Sequence, residues 1–96
     1  MQYDEKELKE ICKRNGISYL ALFGSLARGE GRENSDADLL VNYSSDSPVK
    51  GLFSHLGVAQ EFEKLFKRPV DLIEQKILNP KLERYITKDL KTLYER

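Results

Sequence analysis

The sequence predicts a small α/β domain, and three observations carry that expectation. Short apolar runs suited to buried strands recur along the chain, at 19–23, 39–41 and 70–73. Between and after them lie segments whose apolar residues return at helical spacing. The chain has 96 residues, enough for one modest core, which predicts a single domain over residues 1–96.

The elements follow in order. Asp4 can cap a first helix running through Asn15, with Leu8, Ile11 and Cys12 on its apolar side and Gly16 as its stop. Residues 17–23 form strand one, which delivers the chain into a tight turn at Gly24 and Ser25. A short helix starts near Ser25, and Gly29 and Gly31 break the chain into a polar loop that runs to Ser35. Residues 37–43 form strand two. Residues 44–51, with three serines, a proline and a glycine, read as a flexible loop. Leu52, Leu56, Ala59, Phe62, Leu65 and Phe66 then trace the apolar stripe of a long helix that ends by Pro69. Residues 70–73 form a third strand. Asn79 and Pro80 start a last helix on which Leu82, Tyr85, Ile86, Leu90 and Leu93 recur at helical spacing.

Composition excludes several classes. Sixteen basic and sixteen acidic residues cancel, so the chain has no electrostatic footprint for nucleic acid. No apolar run approaches the roughly 20 residues that cross a bilayer, and residues 1–6 lack the apolar core of a signal peptide, which predicts a cytoplasmic protein without a membrane partner. A single cysteine, Cys12, excludes an internal disulfide and a cysteine zinc cage, and its place on the apolar side of the first helix predicts a buried thiol. His55 is isolated and reads as a surface or edge residue. Lys64, Lys67 and Arg68 cluster where they complement the dipole at the end of the long helix.

The chemistry concentrates between Gly24 and Val41. A small residue at the turn lets backbone N–H groups approach a ligand. Asp36 and Asp38 stand at i and i+2 at the mouth of strand two, on one face and about 6–7 Å apart along the strand. Two such carboxylates suit Mg2+, which binds through one or two carboxylates together with substrate phosphates. Asp71 interrupts an apolar strand pattern, where a carboxylate is costly to bury without a partner. Taken singly, each piece has a plainer reading: Ser25 as a helix cap, the aspartates as turn acids, Asp71 as a solvent-facing strand end. Arg28 could reach a phosphate or form an ion pair with Glu30 or Glu33.

Leu22 to Ser25, Ala27 to Glu30, Ser35 to Val41, Pro69 to Ile73 and the closing Leu82, Tyr85 and Ile86 together resemble the DNA polymerase beta-type nucleotidyltransferase superfamily. More narrowly, they resemble its minimal nucleotidyltransferases, antitoxins found beside helical HEPN toxins. The resemblance covers almost the whole chain. It implies a nucleotidyltransferase fold with a small mixed sheet of three or more strands flanked by helices, and catalysis by Asp36, Asp38 and Asp71. These three would hold Mg2+, with Asp71 also helping to deprotonate the acceptor. Gly24, Ser25, Arg28 and Ser35 would bind the nucleotide. It further implies transfer of AMP from ATP to a tyrosine hydroxyl of a cognate HEPN ribonuclease toxin, in a hetero-oligomer. Two other functions stay open, an antitoxin that neutralises its toxin by binding alone and a small-molecule nucleotidyltransferase of the antibiotic-modifying type. The family pattern is altered at Ala37, often a larger apolar residue, and at Gly31, commonly alanine; both changes suggest a looser metal loop.

Overall fold

The computed structural model describes residues 1–32 and 34–96. Four helices and four strands alternate in the order α1 (Glu5–Arg14), β1 (Ile17–Phe23), α2 (Gly24–Ala27), β2 (Ala37–Tyr43), α3 (Gly51–Phe66), β3 (Val70–Glu74), α4 (Pro80–Ile86) and β4 (Lys91–Glu95). Two 3-10 turns flank α4, at Gln75–Ile77 and Thr87–Asp89.

The strands form one mixed sheet in the order β3-β2-β1-β4. β1 is antiparallel to both β2 and β4, whereas β2 and β3 run parallel. A parallel pair needs a long crossover, and α3 supplies it. Side chains alternate between sheet faces, which splits β2 into two sets. Ala37, Leu39 and Val41 join Leu20 and Leu22 of β1 and Leu72 of β3 against Leu8, Ile11 and Cys12 of α1 and Val58, Phe62, Leu65 and Phe66 of α3. Asp38 and Leu40 of β2 face the opposite side of the sheet.

Helix α1 follows the expected pattern. The Asp4 carboxylate accepts from the Lys6 and Glu7 amides at 2.9 and 3.3 Å, and Gly16 terminates the helix at φ +64°. Cys12 is fully buried, and desolvation pushes its thiol up to about 12.

Two expectations are corrected. The apolar stripe of α3 is buried only from Val58 onward; Leu52 and Leu56 are 68% and 47% exposed, because only the later turns lie over the sheet. The last helix stops at Ile86, its only buried residue, while Leu82 and Tyr85 are exposed. Leu90 and Leu93 lie beyond it, and Leu93 belongs to β4, whose backbone satisfies the otherwise open edge of β1. Pairing with β1 overrides the helical spacing. Among the described residues no helix is long and apolar enough to cross a membrane.

Candidate active site

Strand β1 ends at Phe23, and Gly24 turns the chain at φ +75° into the single turn of α2. Glycine is required there twice over. The left-handed backbone disfavours any side chain, and a Cβ at Gly24 would run into the Asp38 carboxylate. The Gly24 backbone therefore lies directly against Asp38, which stands across from Phe23 in the β1–β2 ladder. Ser25 occupies the first turn of α2, a helix of four residues, so local N–H groups rather than a developed macrodipole face any anion there.

Asp38 and Asp71 occupy equivalent positions in the parallel β2–β3 ladder. Adjacent strands lie about 4.8 Å apart, so the two carboxylates project side by side from one face. Asp36 lies in the loop immediately ahead of β2. Asp36 and Asp71 are exposed, and Asp38 is half-buried. Desolvation holds the Asp38 carboxyl above its ordinary value, the negative charges of Asp71 and Asp36 raise it further, and the Arg28 guanidinium partly offsets them. All three sequence-predicted carboxylates are thus brought into electrostatic contact.

A cleft of about 390 Å³ opens beside them, lined by Phe23, Gly24, Ser25, Arg28, Asp38, Tyr85, Ile86, Lys88 and Asp89. Its volume is in the range of sites for small molecules. Arg28 lies within this lining and forms ion pairs, from Nε to Glu30 at 3.1 Å and from Nη1 to Asp89 at 3.4 Å. The alternative acid, Glu33, lies outside the described residues. The Ser35 hydroxyl accepts from the Arg32 amide at 2.7 Å and the Ser35 amide donates to the Arg32 carbonyl at 3.0 Å, closing the loop ahead of Asp36. Gly31 belongs to the same loop, and a Cβ there would collide with the Leu26 side chain. Glycine thus lets the loop pack tightly on α2, against the expectation of a looser one.

A model of the polymerase beta nucleotidyltransferase family matches residues 6–96. The chain belongs to that family. A protein of Methanocaldococcus jannaschii provisionally named as a protein adenylyltransferase is 34% identical over 88% of this chain and 92% of its own length. The protein adenylyltransferase MntA of Thermococcus cleftensis is 28% identical over 85% of this chain and 80% of its own. Among solved structures, a toxin–antitoxin with AMP-PNP superposes with a TM-score of 0.78 at 21% identity, covering 97% of this chain and 74% of that one. A tri-AMPylated HEPN toxin of Shewanella oneidensis in complex with its MNT antitoxin gives 0.69 at 18% identity, covering 96% and 70%. At these identities the two structures establish the nucleotidyltransferase fold.

For a nucleotidyltransferase, the donor set at Asp36, Asp38 and Asp71 suits a hard cation, since oxygen donors alone are present and their mutual repulsion would be relieved by positive charge. Among the described residues no three candidate ligands converge closely enough to cage an ion by themselves. The cleft wall formed by α4 and the turn after it, with Tyr85, Lys88 and Asp89, had no site role in the sequence reading. Its one signal was Tyr85 inside a recognised family motif, yet 71% exposed where its neighbour Ile86 is buried. His55 is half-buried at the edge of the core, away from the cleft, with Nδ1 against the Tyr43 hydroxyl at 2.9 Å and Nε2 against the Leu72 carbonyl at 2.8 Å.

Proposed function

We propose that this nucleotidyltransferase, acting as a single domain over residues 1–96 in the cytoplasm, transfers AMP from ATP to a tyrosine hydroxyl of a cognate HEPN toxin and thereby serves as its antitoxin. The observation that carries the chemistry is the pairing of Asp38 with Asp71 in register, beside a glycine that brings backbone against the Asp38 carboxylate. The names of the relatives support protein as the acceptor. The toxin–antitoxin neighbours support a HEPN protein in particular, and the AMP-PNP complex supports ATP as donor.

In this reading Gly24 and Ser25 orient the triphosphate through their amides and the Ser25 hydroxyl. Arg28 and Lys88 add positive charge along the cleft, and the exposed ring of Tyr85 offers a flat apolar wall. Ser35 serves the nucleotide side through the loop it closes. Asp36, Asp38 and Asp71 would hold Mg2+, which when bound neutralises phosphate charge and favours attack at phosphorus. Asp71, the most exposed of the paired carboxylates, accepts the proton of the incoming phenol. The phenolic oxygen bonds to the α-phosphorus, the bond to the bridging oxygen breaks, and pyrophosphate leaves.

Intact-mass spectrometry of the partner toxin after incubation with this protein, ATP and Mg2+ tests the reading. The expected result is a gain of one or more AMP units on tyrosine, absent with Asp36→Ala or Asp38→Ala. A toxin that stays unmodified yet is inhibited in complex would replace transfer by inhibition through binding.

A further inference from the structure

We infer that Arg68 is a positioning residue for the carboxylate site, tying the loop ahead of Asp36 to the turn that opens the strand bearing Asp71. The inference deepens the proposed nucleotidyl transfer and rests on it. Arg68 entered the sequence reading as one of three cations near the end of α3. In the structure it does something more specific.

α3 ends at Phe66, and Lys67 takes a left-handed conformation at φ 57°, with its amide on the Glu63 carbonyl at 2.8 Å. That conformation is uncommon outside glycine. It turns the chain so that Arg68 and Pro69 reach the backbone of Arg32, Ser35 and Ala37. Nη1 of Arg68 donates to the Ser35 carbonyl at 3.0 Å and to the Arg32 carbonyl at 3.3 Å. The next residue, Pro69, accepts from the Ala37 amide at 2.9 Å through its carbonyl. Two consecutive residues therefore grip the backbone immediately before and immediately after Asp36. The Glu63 carboxylate completes the elbow by accepting from the Val70 amide at 3.1 Å, and Asp71 follows.

The effect is to fix where Asp36 starts while leaving its side chain exposed for a ligand. The same elbow sets the start of β3, and with it the register that puts Asp71 beside Asp38. Arg68 acts on the backbone, its Nη1 holding the Ser35 and Arg32 carbonyls. A charged donor holding two carbonyls is stronger than a neutral one, so the loop keeps its shape against the repulsion of the clustered carboxylates.

The test compares Arg68→Ala and Arg68→Lys with the unaltered protein, in complex with its partner. Two quantities are read: the Mn2+ dissociation constant in the presence of AMP-PNP, from the electron paramagnetic resonance of the free ion, and the separate kcat and KM for ATP. Loss of an outer support typically weakens metal affinity or activity roughly 10–100-fold. Arg68→Ala is expected to show a loss of that size in Mn2+ affinity and in kcat, with KM for ATP changed little. Arg68→Lys, which keeps a cationic donor, should recover much of it. Unchanged Mn2+ affinity and kcat in Arg68→Ala would overturn the inference, as would equal losses in both variants. If Arg68→Ala fails to fold, Arg68→Gln, which keeps an amide donor, is measured in its place against the same criteria. Asp36→Ala run in parallel separates the two levels. Retained transfer by that variant would sink the catalytic reading itself, whereas its inactivity beside a normal Arg68→Ala sinks only the role of Arg68.

Discussion

Asp38 is held in a state that ordinary surface aspartates avoid. Its carboxyl is raised by burial and by two neighbouring acids, the reverse of a salt-bridged aspartate. Below about pH 3.8, its ordinary value, the group is protonated whether the chain is folded or not, and the fold suffers no penalty. As pH climbs through the raised folded value, stability is lost, because the folded state resists giving up the proton. At neutral pH the protein therefore carries an electrostatic cost at this carboxylate. Asp38→Asn should raise the thermal midpoint of the ligand-free protein at pH 7 by a few degrees at most, since solvent reaches the half-buried group. The gain should vanish near pH 3, and AMP transfer should fall to background. Calorimetry at the two pH values, beside the transfer assay, checks all three outcomes. A midpoint lowered at pH 7 would mean that Asp38 supports the fold instead of straining it.

At the scale of elements, the elbow after α3 stores the clearest backbone strain. Lys67 is the only non-glycine residue at positive φ among those described. A left-handed conformation costs a residue with a side chain about 1–2 kcal/mol, part of which glycine returns through its freer unfolded chain. Lys67→Gly should thus stabilise the protein by roughly 0.5–1 kcal/mol in urea titrations with the slope unchanged. The same elbow shows what a sequence can and cannot announce. β1 and β2 were legible to the residue, because each is a dense apolar run bounded by a glycine turn or the Asp36 loop. α1 was equally plain from Asp4, its apolar positions and Gly16. β4 was not, because Leu90 and Leu93 fall at helical spacing by coincidence and the decisive term, pairing with β1, comes from residues far away in the chain. In the site, glycine beside paired acids was readable because each residue type is demanded by the chemistry. Arg68 was hidden for the opposite reason. Its partners are backbone carbonyls, which every residue possesses, so their positions leave no trace in residue identity. The α4 wall of the cleft escaped for want of any charge or spacing pattern that marks a cleft.

For the whole molecule, the largest hydrophobic cluster lies on one face of the sheet. α1 and α3 cover a single face, and their contacts centre on Phe62, fully buried and stacked on Phe66 at 5.9 Å between ring centroids. Removing a buried phenylalanine typically costs about 3–5 kcal/mol. A domain of 96 residues commands only about 5–14 kcal/mol in total. Phe62→Ala should therefore lower the urea midpoint by roughly a fifth or more without touching the cleft, and under the proposed function saturating Mg2+ and ATP should restore part of the loss by mass action. The sheet itself is closed by its most distant pairing, with Leu20 beside Tyr94 and Ala21 beside Thr92. Contacts of such long range form late, since the loop between them must first be ordered. Tyr85, Ile86, Lys88 and Asp89 sit in that loop, between β3 and β4, and are expected to order only as β4 docks. In the proposed function, nucleotide binding is therefore expected to return late in refolding, as stopped-flow mixing with a fluorescent ATP analogue would show. Under that proposal a bound ATP, by holding the wall, would act as a latch on the final step of folding.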